Sequence, residues 1–169
     1  IEPAIKPAAL QTATGKVGIL ATKGTLSSSL FQKTSRDYGK EIQIIEREGK
    51  GLVSLIEEGK MNTKETKQLL LNYIKPMVDA NIDSLVLGCT HYPFLIPILK
   101  DILPVNVDII DCGRAVAKQT LTVLEQGRLL NSGKNLETSQ EFYSNGDKKI
   151  LDFFLENFGI QTRSIQIDI

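Results

Sequence analysis

The sequence predicts an α/β fold built on a parallel sheet, and three observations carry that expectation. Short runs rich in β-branched and other apolar residues recur along the chain: KVGILAT at 16–22, LVL at 85–87, VDII at 107–110. Between them lie stretches whose apolar residues repeat at helical spacing, which is the βα rhythm of a parallel sheet. Glycine and Thr/Ser clusters punctuate the boundaries. At 169 residues the chain holds one ordinary domain, or one domain plus part of another. A chain of this size buries about two-thirds of its unfolded surface.

Taken in order, 16–22 reads as a buried strand and 27–38 as a helix closed by Gly39. A strand at 41–45 and a short helix at 52–58, ended by Gly59, follow. Asn62 reads as an N-cap, with Glu65 at the third helical position completing a variant capping box. The helix it opens aligns Leu70, Tyr73, Ile74 and Met77 on one face, and Pro76 should bend it by removing a backbone donor. Next come a strand at 84–88, a short helix ending near Leu103 and a strand at 107–110. A helix at 114–130 should turn Val116, Leu121 and Leu124 inward. The polar stretch 131–139 reads as a linker, followed by a strand at 141–144, a helix at 148–158 and a last strand at 164–169. The compact α/β part spans about 8–112, and no internal repeat is evident.

Composition narrows the function. Lys plus Arg and Asp plus Glu number 20 each, so charge gives no reason to expect nucleic acid or an anionic membrane as partner. No apolar run approaches the ~20 residues of a membrane span, and no signal-peptide pattern opens the sequence. The two cysteines, Cys89 and Cys112, are too few and too far apart for a disulfide framework, which places the protein in a reducing cytoplasm. The chain opens on Ile1, in a turn-like Ile-Glu-Pro-Ala stretch without methionine. That predicts a sequence beginning inside a longer protein.

The chemistry concentrates in LVLGCTHYP, residues 85–93. Ligands of open α/β sheets bind beyond the carboxyl ends of the strands, and Cys89 sits at such an end. The amides of Thr90, His91 and Tyr92, at a helix start, should favour an anion such as a carboxylate, and thiolate over thiol at Cys89. His91, the only histidine, lies two residues away, in reach to exchange a proton. The residue types leave a plainer reading open: a cysteine packed as a small apolar residue, and a surface histidine with no task.

Residues 88–93 (GCTHYP) resemble the signature around the second catalytic cysteine of glutamate racemases, within the aspartate/glutamate racemase superfamily. The likeness continues in order through IEPA at 1–4, KVGILATKGT at 16–25, GLVSLIEEG at 51–59, Phe94-Leu95, residues 109–111 and YSNGD at 143–147. It implies a parallel-sheet βα sandwich of the racemase type. Residues 1–112 would form the C-terminal α/β domain that supplies one half-site. Residues 113–169 (helix, linker and βαβ tail) would pack with the N-terminal domain.

The resemblance further implies racemisation of glutamate without cofactor or metal, by two cysteines facing opposite sides of the α-carbon. It assigns Cys89 and His91 as catalytic residues, with Cys89 taking the proton of L-glutamate. Thr90, His91 and Thr22 hold the substrate. Thr25 matches a second pocket threonine, for which a capped turn is an equal reading. Glu57 matches a glutamate beside the histidine, although a solvated carboxylate fits as well. The family's Asp-Ser-Gly, Pro-Tyr-Gly and Cys-Asn-Thr segments are absent, and Arg47-Glu48-Gly49-Lys50 stands where Ala-Cys-Pro is frequent. Cys112 lies in the wrong turn to replace the first cysteine and reads as structural. The chain alone is therefore expected to be inactive, with exposed apolar surface favouring self-association into a homodimer.

The role implied is supply of D-glutamate for peptidoglycan. An aspartate racemase is the nearest alternative, though its motif usually has Glu in place of His91. A non-catalytic α/β module binding an amino acid or a protein remains open. A nucleotide site is disfavoured, since neither a P-loop nor a GxGxxG fingerprint occurs.

Overall fold

Val17, Ile19 and Ala21 leave one face of strand β1 (Lys16–Ala21) and Leu20 leaves the other, and all four are buried. A strand covered on both faces belongs inside a parallel sheet. The computed structural model, which describes residues 2–40, 42–131 and 139–168, bears this out. Strands β1, β2 (Gln43–Glu48), β3 (Ser84–Gly88) and β4 (Asp108–Ile110) form one sheet in the order β2-β1-β3-β4, every pairing parallel.

Helices cover both faces. On one side α1 (Glu2–Gln11) and α3 (Ser29–Tyr38) enclose Ala4, Ile5, Ala8, Val17, Ile19, Ala21, Phe31 and Val86. On the other lie α4 (Leu52–Glu57), α5 (Lys64–Asp79), a 3₁₀ turn (Tyr92–Leu95) and α6 (Ile96–Ile102), around Leu20, Leu70, Ile74, Met77, Leu85 and Leu87. The alternation along β3, with Leu85 and Leu87 on one side and Val86 on the other, follows the two-residue period of a strand. Gly18 lets α5 approach, because a Cβ there would meet Ile82 Cδ1 at 2.9 Å and Met77 Sδ at 3.0 Å.

Several expectations need correction. The turn-like reading of 1–4 gives way to helix α1 from Glu2 onward, Ile1 lying outside the described residues. Pro3 is tolerated in its first turn, and Pro7 removes only one donor, which the packing of Ala4, Ile5 and Ala8 outweighs. The short α2 (Lys23–Leu26) was not foreseen; Thr22 caps it, its Oγ1 accepting from the Thr25 amide at 3.3 Å. Strand β2 runs on to Glu48 because its pairing with β1 continues through Ile19–Glu46, Leu20–Arg47 and Ala21–Glu48. Glu41, where that strand was expected to start, lies outside the described residues. Thr63, not Asn62, caps α5; its hydroxyl accepts from the Thr66 amide, and buried Thr66 in turn donates to the Lys60 carbonyl at 2.7 Å. Pro76 sits in the last turn of α5, which continues past it to Asp79.

Helix α7 (Gly113–Gln126) departs furthest from expectation. None of its residues is buried, and Val116 and Leu121 are each 48% exposed. The apolar stripe exists, but neither core cluster includes any residue of α7. Of the 131–139 linker only Asn131 and Ser139 are described, and Ile169 also lies outside the described residues. After the linker, β5 (Tyr143–Ser144) and β6 (Ile165–Gln166) pair in parallel as a separate two-stranded sheet, flanked by α8 (Lys148–Asn157). Asp152 ties α8 to the β6 segment, accepting from the Ser164 amide at 2.6 Å and the Ser164 hydroxyl at 2.7 Å. Among the described residues no helix is long and apolar enough to cross a membrane.

At the amino end of the sheet, Asp83 fastens the loop between α1 and β1. Its carboxylate accepts from Thr12 Oγ1 and from the amides of Ala13 and Thr14, each at 2.7 Å. Burial pushes this carboxyl up, but the combined hydrogen bonds outweigh it and bring it down to about 2, from 3.8. A depressed carboxyl stabilises the fold above its unfolded value and loses that contribution as pH falls through the folded one. Asp83→Asn should therefore lower the melting temperature at neutral pH. Thermal denaturation between pH 5 and about 2 should show the gap to the parent closing below about 4.

Candidate functional site

Parallel pairing places Ala21 beside Gly88, so β1 and β3 end at the same level and hand over side by side to Thr22 and Cys89. Thr25 Oγ1 donates to the Gly88 carbonyl at 3.1 Å and lies 3.0 Å from Thr22 Oγ1, which stitches the two strand ends together. Ser28 continues the chain of hydroxyls: it donates to the Thr25 carbonyl at 2.7 Å and caps α3 through the Phe31 amide. Thr22, Thr25, Ser28, Cys89, Thr90 and Cys112 line one open cleft of about 580 Å³. Thr22 and Thr25 cap a turn and also line this cleft.

His91 stands between Cys89 and Glu57. Its Nδ1 lies 3.9 Å from Cys89 Sγ and 3.5 Å from Thr90 Oγ1, and its Nε2 lies 3.2 Å from Glu57 Oε1. Glu57 reaches this position from the end of α4, whose Leu52, Leu55 and Ile56 are buried. The glutamate is thus a partner of His91 and not a solvated bystander. A carboxylate on one imidazole nitrogen helps to set which way the ring faces. The arrangement equips a sulfur to give or accept a proton through an oriented imidazole.

Tyr92 anchors the loop, a task the sequence did not announce. It is fully buried, and its hydroxyl donates to the Gly49 carbonyl at 3.1 Å. Burial pushes that hydroxyl well above the usual phenol range. Gly49 has no room for a side chain: a Cβ would collide with the Tyr92 hydroxyl and lie 2.8 Å from Leu52 Cδ1.

The expectation of a thiolate-favouring Cys89 needs correction. Burial pushes the thiol up; the amides of His91 and Tyr92 pull it down without prevailing, and the Glu57 carboxylate pushes the same way as burial. Two of the amides expected to face an anion thus act on the cysteine's own sulfur. The elements that follow, a four-residue 3₁₀ turn and a seven-residue α6, are also too short to supply a strong dipole. Cys112 is half-buried against the α1–α3 side of the core, yet it also borders the cleft that Cys89 lines. Phe154 of α8 completes the surroundings, its ring 5.4 Å from that of His91. Among the described residues no group of three or more His, Cys, Asp and Glu side chains is placed to hold a metal ion.

A family model described as Asp/Glu/Hydantoin racemase matches residues 1–120. The chain belongs to this family. Among curated relatives of this racemase-family chain, a glutamate racemase of Pseudomonas putida (strain W619) is 40% identical over 166 residues. The match covers 98% of the chain and 62% of that relative. A solved glutamate racemase of Bacillus anthracis superposes with a TM-score of 0.82 at 25% identity, over 100% of this chain and 62% of its own. The Escherichia coli glutamate racemase, solved in complex with L-glutamate and the activator UDP-MurNAc-Ala, gives a TM-score of 0.79 at 28% identity, over 98% and 62%. The chain thus spans about 62% of the length of the proteins it resembles. The α/β class and the racemase-type fold expected from the sequence are those observed.

Two outcomes follow from this racemase-family geometry. Alkylation of Cys89 by iodoacetamide, read by peptide mass spectrometry against pH, should inflect above the profile of a free thiol, because burial withholds the thiolate. Gly49→Ala should destabilise the fold by about 1–3 kcal/mol in urea denaturation, the range of an overpacked interior.

Proposed function

We propose that this chain is the C-terminal portion of a cofactor-independent glutamate racemase, and that it carries one of two half-sites. The observation that carries the reading is the Cys89–His91–Glu57 line at the carboxyl end of β3, opening on a cleft rimmed by hydroxyls. Relatives named glutamate racemase, one of them solved with L-glutamate, support glutamate as the substrate.

Racemisation requires a proton to leave one face of the α-carbon and another to arrive on the opposite face. A single base returning its proton to the same face regenerates the starting enantiomer. Cys89 serves one face. As thiolate it takes the α-proton of L-glutamate, the C–H electron pair stays on carbon, and a thiol from the rest of the protein protonates the other face. In the reverse direction Cys89 donates as a thiol, the form that its burial favours. For the forward direction the substrate's α-ammonium, brought beside the sulfur, favours the thiolate, as any cation within a few ångströms does. His91 tunes Cys89 and, with Thr90 and Thr22, holds the amino acid. The α-proton is very weakly acidic, so the closed site must exclude water and stabilise the developing charge.

Residues 1–112 make the half-site domain in this proposal. In the 113–169 segment, α7 presents Val116, Leu121 and Val123, all exposed, to the remainder of the protein. Formation of a homodimer, a cytoplasmic location and delivery of D-glutamate to peptidoglycan belong to the same reading. One observation favours a rival. The raised Cys89 thiol suits a non-catalytic module that binds an amino acid.

The decisive experiment uses the full-length protein in deuterium oxide. L-Glutamate should lose optical activity with incorporation of deuterium at Cα, and Cys89→Ala should lower the rate by 10²-fold or more, the scale of a lost acid–base group. An undiminished rate in that variant overturns the assignment. The chain of 169 residues alone should leave L-glutamate optically unchanged; racemisation by it would overturn the half-site proposal. Glutamate that slows Cys89 alkylation without any exchange in the full-length protein would establish the binding module instead.

A further inference from the structure

An imidazole that engages a sulfur through one nitrogen and a carboxylate through the other must hold its plane fixed. His91 has the single bonds to rotate away, and its side chain is 28% exposed. Hydrogen bonding supplies little restraint on the sulfur side, since the Nδ1–Sγ distance is 3.9 Å. Glu57 holds the ring at Nε2 alone, 3.2 Å away, so packing must limit its rotation about that contact.

Phe154 is placed to do so. Its ring centroid lies 5.4 Å from that of His91, with the planes inclined by 76°. This is edge-to-face geometry, within the 4.5–7 Å over which aromatic pairs attract. The contact joins residues 63 positions apart in sequence, so it arises only because α8 folds back onto the catalytic domain. Phe154 has further ring neighbours: Phe94, three residues beyond His91, stands 4.9 Å away, and Phe153 stands 5.5 Å away. Next to it in α8, Leu155 is buried, and Asp152 locks the helix to Ser164.

We infer that Phe154 is a positioning residue: brought in by α8, its ring holds the His91 imidazole in the orientation that serves Cys89 and Glu57 together. The tail segment then forms part of the wall behind the reactive pair. This inference rests on the reading of Cys89 and His91 as that pair. Glu57 of α4 and Glu58 just beyond it share a groove with Asp147 and Lys149 at the start of α8, and Lys60 pairs with Glu58 at 2.6 Å.

The test reads the coupling of His91 to Cys89 directly, without needing racemisation. Iodoacetamide labelling of Cys89 in this chain is followed by peptide mass spectrometry from pH 6 to 9. His91→Ala should slow labelling at pH 7 by about fivefold to tenfold, because it removes the basic side chain within reach of the sulfur's proton. Phe154→Leu keeps apolar bulk in α8 but removes the ring, and should slow labelling to a similar degree. The double variant should be no slower than His91→Ala, as expected when one residue acts through the other. Phe154→Tyr should restore the parent profile.

Parent-like labelling in Phe154→Leu beside a slow His91→Ala would overturn the positioning role while leaving the racemase reading intact. Additive slowing in the double variant would also overturn it, by showing an effect that bypasses His91. Parent-like labelling in His91→Ala would instead strike the pairing on which the proposed function rests. Circular dichroism confirms that each variant is folded. A lowered melting temperature with an unchanged labelling profile counts against the inference.

Discussion

The register of β1 against β3 is the constraint on which the site depends. Ala21 and Gly88 are the last paired residues, so the chain leaves both strands at one height and the two turns that follow must share a cleft. A slip by a single residue would reverse the faces of Leu85, Val86 and Leu87 and drive the core apart. The burial of these three residues therefore fixes the register from which Cys89 emerges. The Thr25–Gly88 hydrogen bond secures the junction where the ladder stops. Positioning of the Cys89 sulfur is in this sense a by-product of packing aliphatic side chains on two sides of a sheet.

Around that sulfur, opposing influences meet and burial prevails. Burial favours the neutral thiol; two backbone amides favour the anion; Glu57 opposes the anion while holding the imidazole beside it. A cation brought beside a thiol held in this way would shift it toward the thiolate. The buried Tyr92 hydroxyl on the Gly49 carbonyl keeps the loop from relaxing as the charge changes.

Much of this was legible in the chain. The runs at 16–22 and 84–88 announce themselves by composition, and the Cys89–His91 spacing points to its own chemistry. The parts that were not legible share a physical reason. Helix α1 contains two prolines in its first six residues, so local propensity argues against a helix that tertiary burial of Ala4, Ile5 and Ala8 enforces. Asn62 and Thr63 are both good caps, and the choice between them was made by the buried Thr66 hydroxyl several residues later. The stripe on α7 shows correct helical period, but periodicity cannot say what a face meets. Glu57 and Phe154 reach His91 from distant segments, and no spacing rule encodes such a meeting. The thiol's direction depended on how deeply the fold sinks one atom, which residue types do not state.

The outer strand β2 carries Glu46, Arg47 and Glu48 in its exposed second half, and β4 at the far edge is only three residues long. A sheet margin that is charged on one side and stunted on the other is a poor template for a visiting strand. Backbone zippering between copies along these two edges is therefore disfavoured. Contact through helical surfaces would leave the four-stranded ladder, and the Cys89 turn hung from it, undisturbed by crowding.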